Sequence, residues 1–334
     1  MPTRRRALLV LATLVALALA SLLVALAVGS MTASLADVLG ALTGSSEGLA
    51  VDVIRGLRLP RALAAFACGG LLALAGALMQ VLLRNPLADP YVLGISGGAA
   101  VGALSAMLAG LALALINLFA FAGAFAAMLV VFGLAHGDSS WTRTRLLLTG
   151  VIVASGCGAV VALILSIAPE ARLRGMLFWL MGDAGHATNP WPALLVLGVG
   201  VIVTLPFARE LNLLARGDTL AHALGVSVRR VRHGVYFLAA LFTAVAVTTA
   251  GSIGFIGLVV PHLVRLGMMK LGWGNDQRLL LPASALAGGS LLVLADTLAR
   301  TIVAPQQLPV GVLTALLGVP VFLFLLGRQR GSGP

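Results

Sequence analysis

Few residues in this chain could do bond chemistry, and none of them stands in a catalytic spacing. The single lysine, Lys270, lies between Met269 and Leu271, whereas a phosphate-binding loop needs Gly-Lys-Ser or Gly-Lys-Thr. Cys68 and Cys157 have no partner at zinc-ligand spacing, so each is predicted to be a small buried hydrophobic residue. Paired carboxylates and a nucleophile beside a base are also missing. We therefore expect no catalytic residue, no metal site, no cofactor and no ATP hydrolysis in this chain.

Ionisable residues are absent from the middle of the long apolar stretches. Asp296, beside Arg300 near one end of its stretch, comes nearest to such a position. Ion-coupled carriers usually place charged residues at mid-membrane depth, so the sequence offers no proton relay. Sodium coupling through unwound backbone carbonyls needs no charged side chain, and this alternative stays open.

The composition predicts that the residues named above are held by membrane-spanning helices. Hydrophobic residues make up 60% of the 334 residues, charged residues make up 10%, and the mean hydropathy is +1.07. Soluble domains are about 25% charged. Eight uncharged windows are each about long enough to cross a bilayer as a helix; they cover 7–36, 62–83, 90–137, 146–169, 184–208, 233–264, 279–295 and 301–327.

Two of these windows are long enough to fold back on themselves. The window 90–137 is interrupted by Gly110 and Asn117, and the window 233–264 by Gly251-Ser252-Ile253-Gly254. The chain shows no alternating β pattern, and backbone inside a bilayer must satisfy its own hydrogen bonds. The sequence therefore predicts an all-α membrane protein with about ten transmembrane helices.

The distribution of basic residues predicts the orientation. One set of alternate loops and both termini holds 16 of the 22 basic and 5 of the 11 acidic residues, so this face carries the whole net charge of +11. The positive-inside rule makes it cytoplasmic, with both termini. The arginines are dispersed rather than gathered into a basic domain, so nucleic acid is not an expected partner. The apolar run 7–28 exceeds the core of a cleaved signal, and we expect it to be retained as the first span.

The largest cytoplasmic loop, 209–232, is the expected contact with a partner. Residues 211–215 and 219–224 have the pattern of two short amphipathic helices, separated by Gly217 and ended by Gly225. Such helices suit a groove on another protein. The alternative is a helix pair that lies on lipid headgroups.

Four sequence blocks resemble the FecCD family of ABC-importer permeases. They are Arg58-Leu59-Pro60-Arg61, 84–90 (RNPLADP), 254–262 (GFIGLVVPH) and 308–311 (LPVG), and the resemblance extends from about Arg58 to Leu326. It implies ten transmembrane helices in each of two permease copies, which work with two ATPases and a periplasmic binding protein. It also implies import of haem, ferric siderophores or cobalamin.

The resemblance assigns roles by position. Arg58, Arg61 and Arg300 would project from the neutral outer face and receive acidic side chains of the binding protein. The cytoplasmic gate would be formed by Asn85, Leu87 and Thr144. Contact with the ATPase would involve Leu213, Gly217, Asp218, Ala221, Leu224 and Gly225. The translocation path would be lined by Thr149, Ser155, Ser166, Leu313 and Leu317.

Three residues depart from the family pattern. Arg143 stands at the gate where relatives often have a small polar residue, Arg216 replaces an apolar residue of the coupling segment, and Gln307 replaces a common glutamate. Imidazole is a usual axial ligand of haem. His262, however, belongs to the general family block, including members with other cargo, so a ligand role is not favoured.

The sequence thus predicts a single permease domain over 1–334, with 209–232 as its cytoplasmic coupling loop, in the inner membrane of a bacterium. The expected cargo is haem or a ferric siderophore, followed by cobalamin. Expected partners are a second copy of the chain, two ATP-binding cassette subunits that bind ATP and Mg²⁺, a periplasmic binding protein and membrane lipid. The alternative functions are a passive channel and a sodium-coupled carrier for a small solute.

Overall fold

The computed structural model describes residues 4–29, 33–45, 47–135, 143–187, 189–304 and 306–330. These residues form helices joined by short turns, with no β-strand among them, so the all-α prediction is confirmed. The α-helices are α1 (Arg4–Ala27), α2 (Leu35–Thr43), α3 (Leu49–Val53), α4 (Leu59–Leu82), α5 (Ile95–Leu108), α6 (Leu113–Ala135), α7 (Arg143–Ile167), α8 (Glu170–Met181), α9 (Trp191–Thr204), α10 (Ala208–Arg216), α11 (Asp218–Ala223), α12 (Val228–Ala250), α13 (Ile256–Lys270), α14 (Gln277–Ala299) and α15 (Val310–Arg330).

Six of the described helical segments are long and apolar enough to cross a membrane. They are α1, the continuous segment from α3 to α4, α6, α7, α12 and α14. Helices α9 and α10 meet at a bend of 69° and together could form a seventh span. Shorter apolar helices are α5 and the part of α15 from Val310 to Phe324.

Local signals explain where several helices begin. Ser34 and Asp37 form a capping box at α2, in which each side chain accepts from the other residue's backbone N–H at 3.1 and 2.8 Å. Asp276 caps α14 by accepting from Arg278 N at 3.0 Å. A π-helical turn, Ile54–Arg58, joins α3 to α4 without a break.

Helix α4 is the centre of the bundle, and small residues let its neighbours approach closely. An added Cβ on Gly69 would lie 2.3 Å from the Gly288 carbonyl oxygen of α14. An added Cβ on Gly76 would lie 1.8 Å from the Gly257 carbonyl oxygen of α13. Close backbone packing of this type holds membrane helices together where lipid offers no hydrophobic driving force. In contrast, only 11% of the apolar window of α7 is buried.

Of the predicted interruptions, two are confirmed and one is wrong. Helix α12 ends at Ala250 and α13 begins at Ile256, as the glycine-containing run 251–254 predicts. Gly110 lies in the turn between α5 and α6 with φ of +73°. Asn117 lies inside α6, because asparagine fits a helix interior and only the turn needs the left-handed conformation of glycine.

Candidate functional site

The three outer arginines come together, but they do not project as predicted. Arg58 is only 5% exposed, and its Nη1 donates to the Leu26 and Ala27 carbonyls at 2.7 and 3.2 Å. Arg300 Nη2 donates to the Ala25 carbonyl. The last carbonyls of a helix lack intrahelical partners, and here the guanidinium groups satisfy those of α1. The expectation of free cations is therefore wrong for both residues.

Arg61 is bound by acidic residues of its own chain. Its Nε lies 2.9 Å from Asp296 Oδ2, its Nη2 lies 3.2 Å from Asp183 Oδ1, and its Nη1 donates to Gln307 Oε1 at 2.7 Å. The side chain is 12% exposed and that of Asp296 is 4% exposed. Arg61 thus joins α4, α14, the turn after α8 and the segment before α15, and it too does not project.

One outer cavity is shared by all three arginines. The cavity has a volume of about 270 Å³ and is lined by Gly29, Val53, Leu57, Arg58, Arg61, Arg300 and Gln307. Gln307 contributes no negative charge to this lining. The residues that line the cavity thus include three guanidinium groups and no carboxylate, although Arg61 is already bound by Asp296 and Asp183.

The two predicted gate segments lie at the same end of the bundle, where Arg84 and Arg143 both contact Asp218. Asn85 is exposed, and its Oδ1 accepts from Leu87 N at 3.0 Å in a tight turn after α4. Thr144 is exposed at the start of α7. Arg143, which precedes it, points towards the coupling loop, where its Nη2 donates to Asp218 Oδ2 at 2.9 Å.

The predicted helix pair in the loop 209–232 is present as α10 and α11. Leu211, Leu214 and Ala221 are buried against the bundle, so Ala221 is not placed to touch a partner as predicted. Leu220 and Leu224 are 43% and 55% exposed. Residues four apart share a helix face, so the spacing of these leucines was the available signal for the outer face.

The remaining predicted coupling residues surround this apolar pair. Gly225 is exposed, whereas Leu213, Gly217 and Asp218 are half-buried. Arg216 is exposed and lines a separate cavity of about 670 Å³, and the other charged residues of its lining are Arg209, Asp276 and Arg278. The loop therefore exposes an apolar pair, Leu220 and Leu224, and also borders a cavity whose lining carries three arginines and one aspartate.

The predicted path residues divide into two groups. Ser155, Ser166 and Leu317 are exposed on α7 and α15, and both serine hydroxyls donate to carbonyls of their own helix, Val151 O at 2.9 Å and Leu163 O at 2.8 Å. Thr149 and Leu313 are each only 9% exposed. Both are packed inside the bundle of this single chain, and their role as lining residues stays a prediction.

A cavity that sequence reasoning missed lies behind α8. It has a volume of about 540 Å³, and its polar lining is Asn117, Asp183, Asn189, Thr248 and Thr249. Trp179 of α8 and Met107 of α5 contribute to its apolar wall. No local pattern could have revealed it, because its lining comes from three segments, 107–117, 175–192 and 245–251, that are more than fifty residues apart in the sequence.

The interruption between α12 and α13 is held by protein hydrogen bonds. Tyr91 Oη accepts from Ile253 N and donates to Ile253 O, both at 3.0 Å. The Ala250 carbonyl accepts from Asp183 N at 2.8 Å. These two carbonyls are therefore already satisfied, which weakens the case for a sodium site built from unwound backbone at this point.

The remaining candidates for metal or haem chemistry are buried or partly buried. His262 on α13 is 3% exposed, so cargo in a path cannot reach its ring in this conformation. Cys68 is buried between α4 and α12, with its Sγ 3.6 Å from the Ala246 carbonyl oxygen. Cys157 is half-buried on α7.

Comparisons with known proteins agree with this architecture. The model of the FecCD transport family matches residues 16–328. The hemin transport system permease protein of Yersinia pestis is 46% identical over 287 residues, which cover 82% of this chain and 83% of the relative. The Fe(3+) dicitrate transport system permease protein of Escherichia coli is 39% identical and covers 87% of each chain. A cobalamin import permease of Halobacterium salinarum is 42% identical, over 83% of this chain and 74% of the relative.

A solved structure is similar over nearly the whole chain. It is an inward-facing metal-chelate type ABC transporter, with a TM-score of 0.82 and 29% identity, covering 96% of this chain and 99% of that one. The match of family model, relatives and fold is continuous, and the chain has the apolar helices of a multi-pass inner-membrane transport protein. This chain belongs to the FecCD transport family, whose members are permease subunits of ABC importers.

Proposed function

We propose that this chain is the membrane-spanning half of a homodimeric importer for a metal chelate. Two copies would work with two ATP-binding cassette subunits and a periplasmic binding protein. Residues 1–334 would form one permease domain, with 209–232 as its coupling loop. ATP and Mg²⁺ would bind to the partner ATPase, and this subunit would do no bond chemistry.

Ten spans would arise from the six long helices and four shorter segments. The shorter segments are α5, α9 with its bend, α13 and α15. A 15-residue helix such as α13 is about 22 Å long, so it needs its flanking turns to cross a hydrocarbon layer of about 30 Å. An even number of spans places both termini on the cytoplasmic side with the basic loops.

The observation that carries the proposal is the helix pair α10–α11. Its inner face is fixed by Leu211, Leu214 and Ala221, whereas Leu220 and Leu224 stand out in the cytoplasm. Exposed leucines on a short anchored helix fit an apolar groove on a partner protein. The partner could then move the bundle through this helix pair.

A second copy would cover the exposed side of α7. Ile152 is 70% exposed, Ser155 and Gly156 are exposed, and Leu316 on α15 is 67% exposed. Small and apolar residues at such a surface suit helix association in a membrane and a weakly binding path. We infer that the binding protein docks over the outer cavity of Arg58, Arg61 and Arg300, where a carboxylate from the partner would meet recessed rather than projecting positive charge and would orient the encounter.

Uptake into proteoliposomes tests the proposal. The permease is reconstituted with its ATPase and binding protein, and haem, a ferric siderophore and cobalamin are offered with and without ATP. Haem is the first cargo to test, because the hemin permease is among the relatives with high identity. ATP-dependent entry of one cargo supports the proposal. Entry without nucleotide would instead indicate a passive channel, and entry that follows a sodium gradient would indicate a carrier.

A further inference from the structure

A single carboxylate on the cytoplasmic side, that of Asp218, binds three arginines. Arg143 Nη2 donates to Asp218 Oδ2 at 2.9 Å, and Arg84 and Arg232 donate to the same carboxylate. Arg84 follows α4, Arg143 is the first residue of α7, and Arg232 belongs to α12. These four residues, the Asp218 cluster, therefore connect three parts of the bundle to the first residue of α11.

The cluster is partly shielded from water. The exposed fractions of the side chains are 16% for Arg232, 23% for Arg84, 31% for Arg143 and 36% for Asp218. Burial, and then the positive charge of Arg143, lower the pKa of Arg84, as expected where cations crowd together. Loss of the Asp218 charge would leave three guanidinium groups to repel each other. Loss of one arginine would leave two of the bonds in place.

Arg84 is fixed from two sides in an unfavourable backbone conformation. Its φ of 48° lies in the left-handed region, which residues other than glycine rarely adopt. Its Nε donates to the Leu214 carbonyl in the last turn of α10 at 3.0 Å, in addition to the bond with Asp218. Such a conformation persists only when the surroundings hold it. The turn that carries Asn85 is thereby attached to both helices of the coupling loop.

The second gate segment has the same attachment through Arg143, which directly precedes Thr144. We propose that Asp218 is the joint, the shared ion-pair partner that connects both gate segments to α10 and α11, and that Arg143 supplies the connection to the second segment. The inference rests on the proposed function, because the gate and coupling roles belong to it. Asp218 would act as a positioning residue, since movement of the helix pair would displace residues 84–87 and 143–144 together.

Hydrogen–deuterium exchange of the full permease in lipid nanodiscs tests the joint without any partner. Wild type is compared with Asp218→Asn, Arg143→Ser and the control Arg229→Ser, which removes one charge from an exposed position on α12. The informative amides are those of Ala88, bonded to Asn85 O at 3.1 Å, and Ala221, bonded to Gly217 O at 2.9 Å.

We expect exchange in 84–92 and 217–226 to accelerate about tenfold for the aspartate variant, which loses charge-assisted bonds, and about threefold for the Arg143 variant, which loses one partly exposed pair. The Arg229 control should match wild type. Equal exchange rates in all four proteins would refute the proposal that Asp218 is the joint.

The ratio of cargo imported to ATP hydrolysed tests the coupling itself. In proteoliposomes with the ATPase and binding protein, Asp218→Asn should lower this ratio about tenfold and Arg143→Ser about threefold, with recovery in Arg143→Lys. A purely structural role would lower uptake and hydrolysis together and leave the ratio unchanged, which would refute the inference. If wild type shows no ATP-driven uptake, the proposed function fails, while the exchange experiment still decides whether the joint exists.

Discussion

Arg61 is the best residue for testing the ion pairs of the outer face, because the sequence predicts an exposed cation there and the structure shows a buried one. As a projecting cation it could be replaced at little cost to stability. In the structure it is 12% exposed and bonds to Asp296, Asp183 and Gln307. The variant Arg61→Met removes these bonds and leaves two carboxylates close together without their shared cation.

The magnitude follows from that burial. Removing one partner of a buried ion pair costs about 3–5 kcal/mol, since the remaining charge stays buried and uncompensated. Screening by water is small here, because the Asp296 side chain is only 4% exposed. At roughly 2–4 °C for each kcal/mol, the scaling of a large domain, we expect Tm to fall by about 6–20 °C.

Thermal unfolding of the purified permease in detergent is the assay, followed by tryptophan fluorescence. The double variant Arg61→Met with Asp296→Leu should recover at least half of the loss, because the most deeply buried unpaired charge is then gone. Arg174→Met is the control, because that exposed guanidinium only lies over the Phe178 ring at 5.7 Å, an interaction of about 0.5–1 kcal/mol. If Arg61→Met lowers Tm no more than the control does, Arg61 is not part of a buried ion-pair network and is instead a projecting cation.

Three further changes test the packing, the coupling surface and the broken helix. Gly76→Ala places a Cβ 1.8 Å from a carbonyl oxygen of α13 and should lower the free energy of unfolding by about 2–3 kcal/mol. The control Gly133→Ala meets nothing within 4 Å, so it should leave the stability unchanged or raise it slightly in the same thermal unfolding assay. Replacing Leu220 and Leu224 by serine should weaken binding of the ATPase at least tenfold, measured by biolayer interferometry, while Tm stays unchanged, because both side chains are exposed. Tyr91→Phe removes two hydrogen bonds to the interruption between α12 and α13 and should lower stability by about 1–3 kcal/mol; a loss below about 0.5 kcal/mol would show that the hydroxyl does not hold this segment.

Helix content and the main interruptions could be predicted from the sequence, because they depend on local properties. Uncharged windows indicated the spans, the glycines of 251–254 indicated a break, and amphipathic spacing indicated two helices in the loop 209–232. The charge pattern likewise separated a basic face from a neutral one. Asn117 failed as a breaker, because asparagine weakens a helix only slightly.

The environments of the arginines could not be predicted, because their partners are remote in sequence. Arg61 bonds to Asp296, 235 residues away, and Arg143 bonds to Asp218, 75 residues away. Charge and position told us that these residues lie at the membrane surfaces, but only the packing of α4 against α14 and of α7 near α11 determines which carboxylate each one meets. For the same reason, the helices that hold Thr149 and Leu313 could be predicted, but the burial of both side chains could not.

ATP-driven haem uptake by the reconstituted complex is the measurement that tests the central claim most directly. Uptake should require ATP, the binding protein and the ATPase, and it should be lost when Leu220 and Leu224 are both changed to aspartate in an otherwise stable permease. Haem, siderophore or cobalamin uptake that persists without ATP, or that is unaffected by the two aspartates, would contradict it.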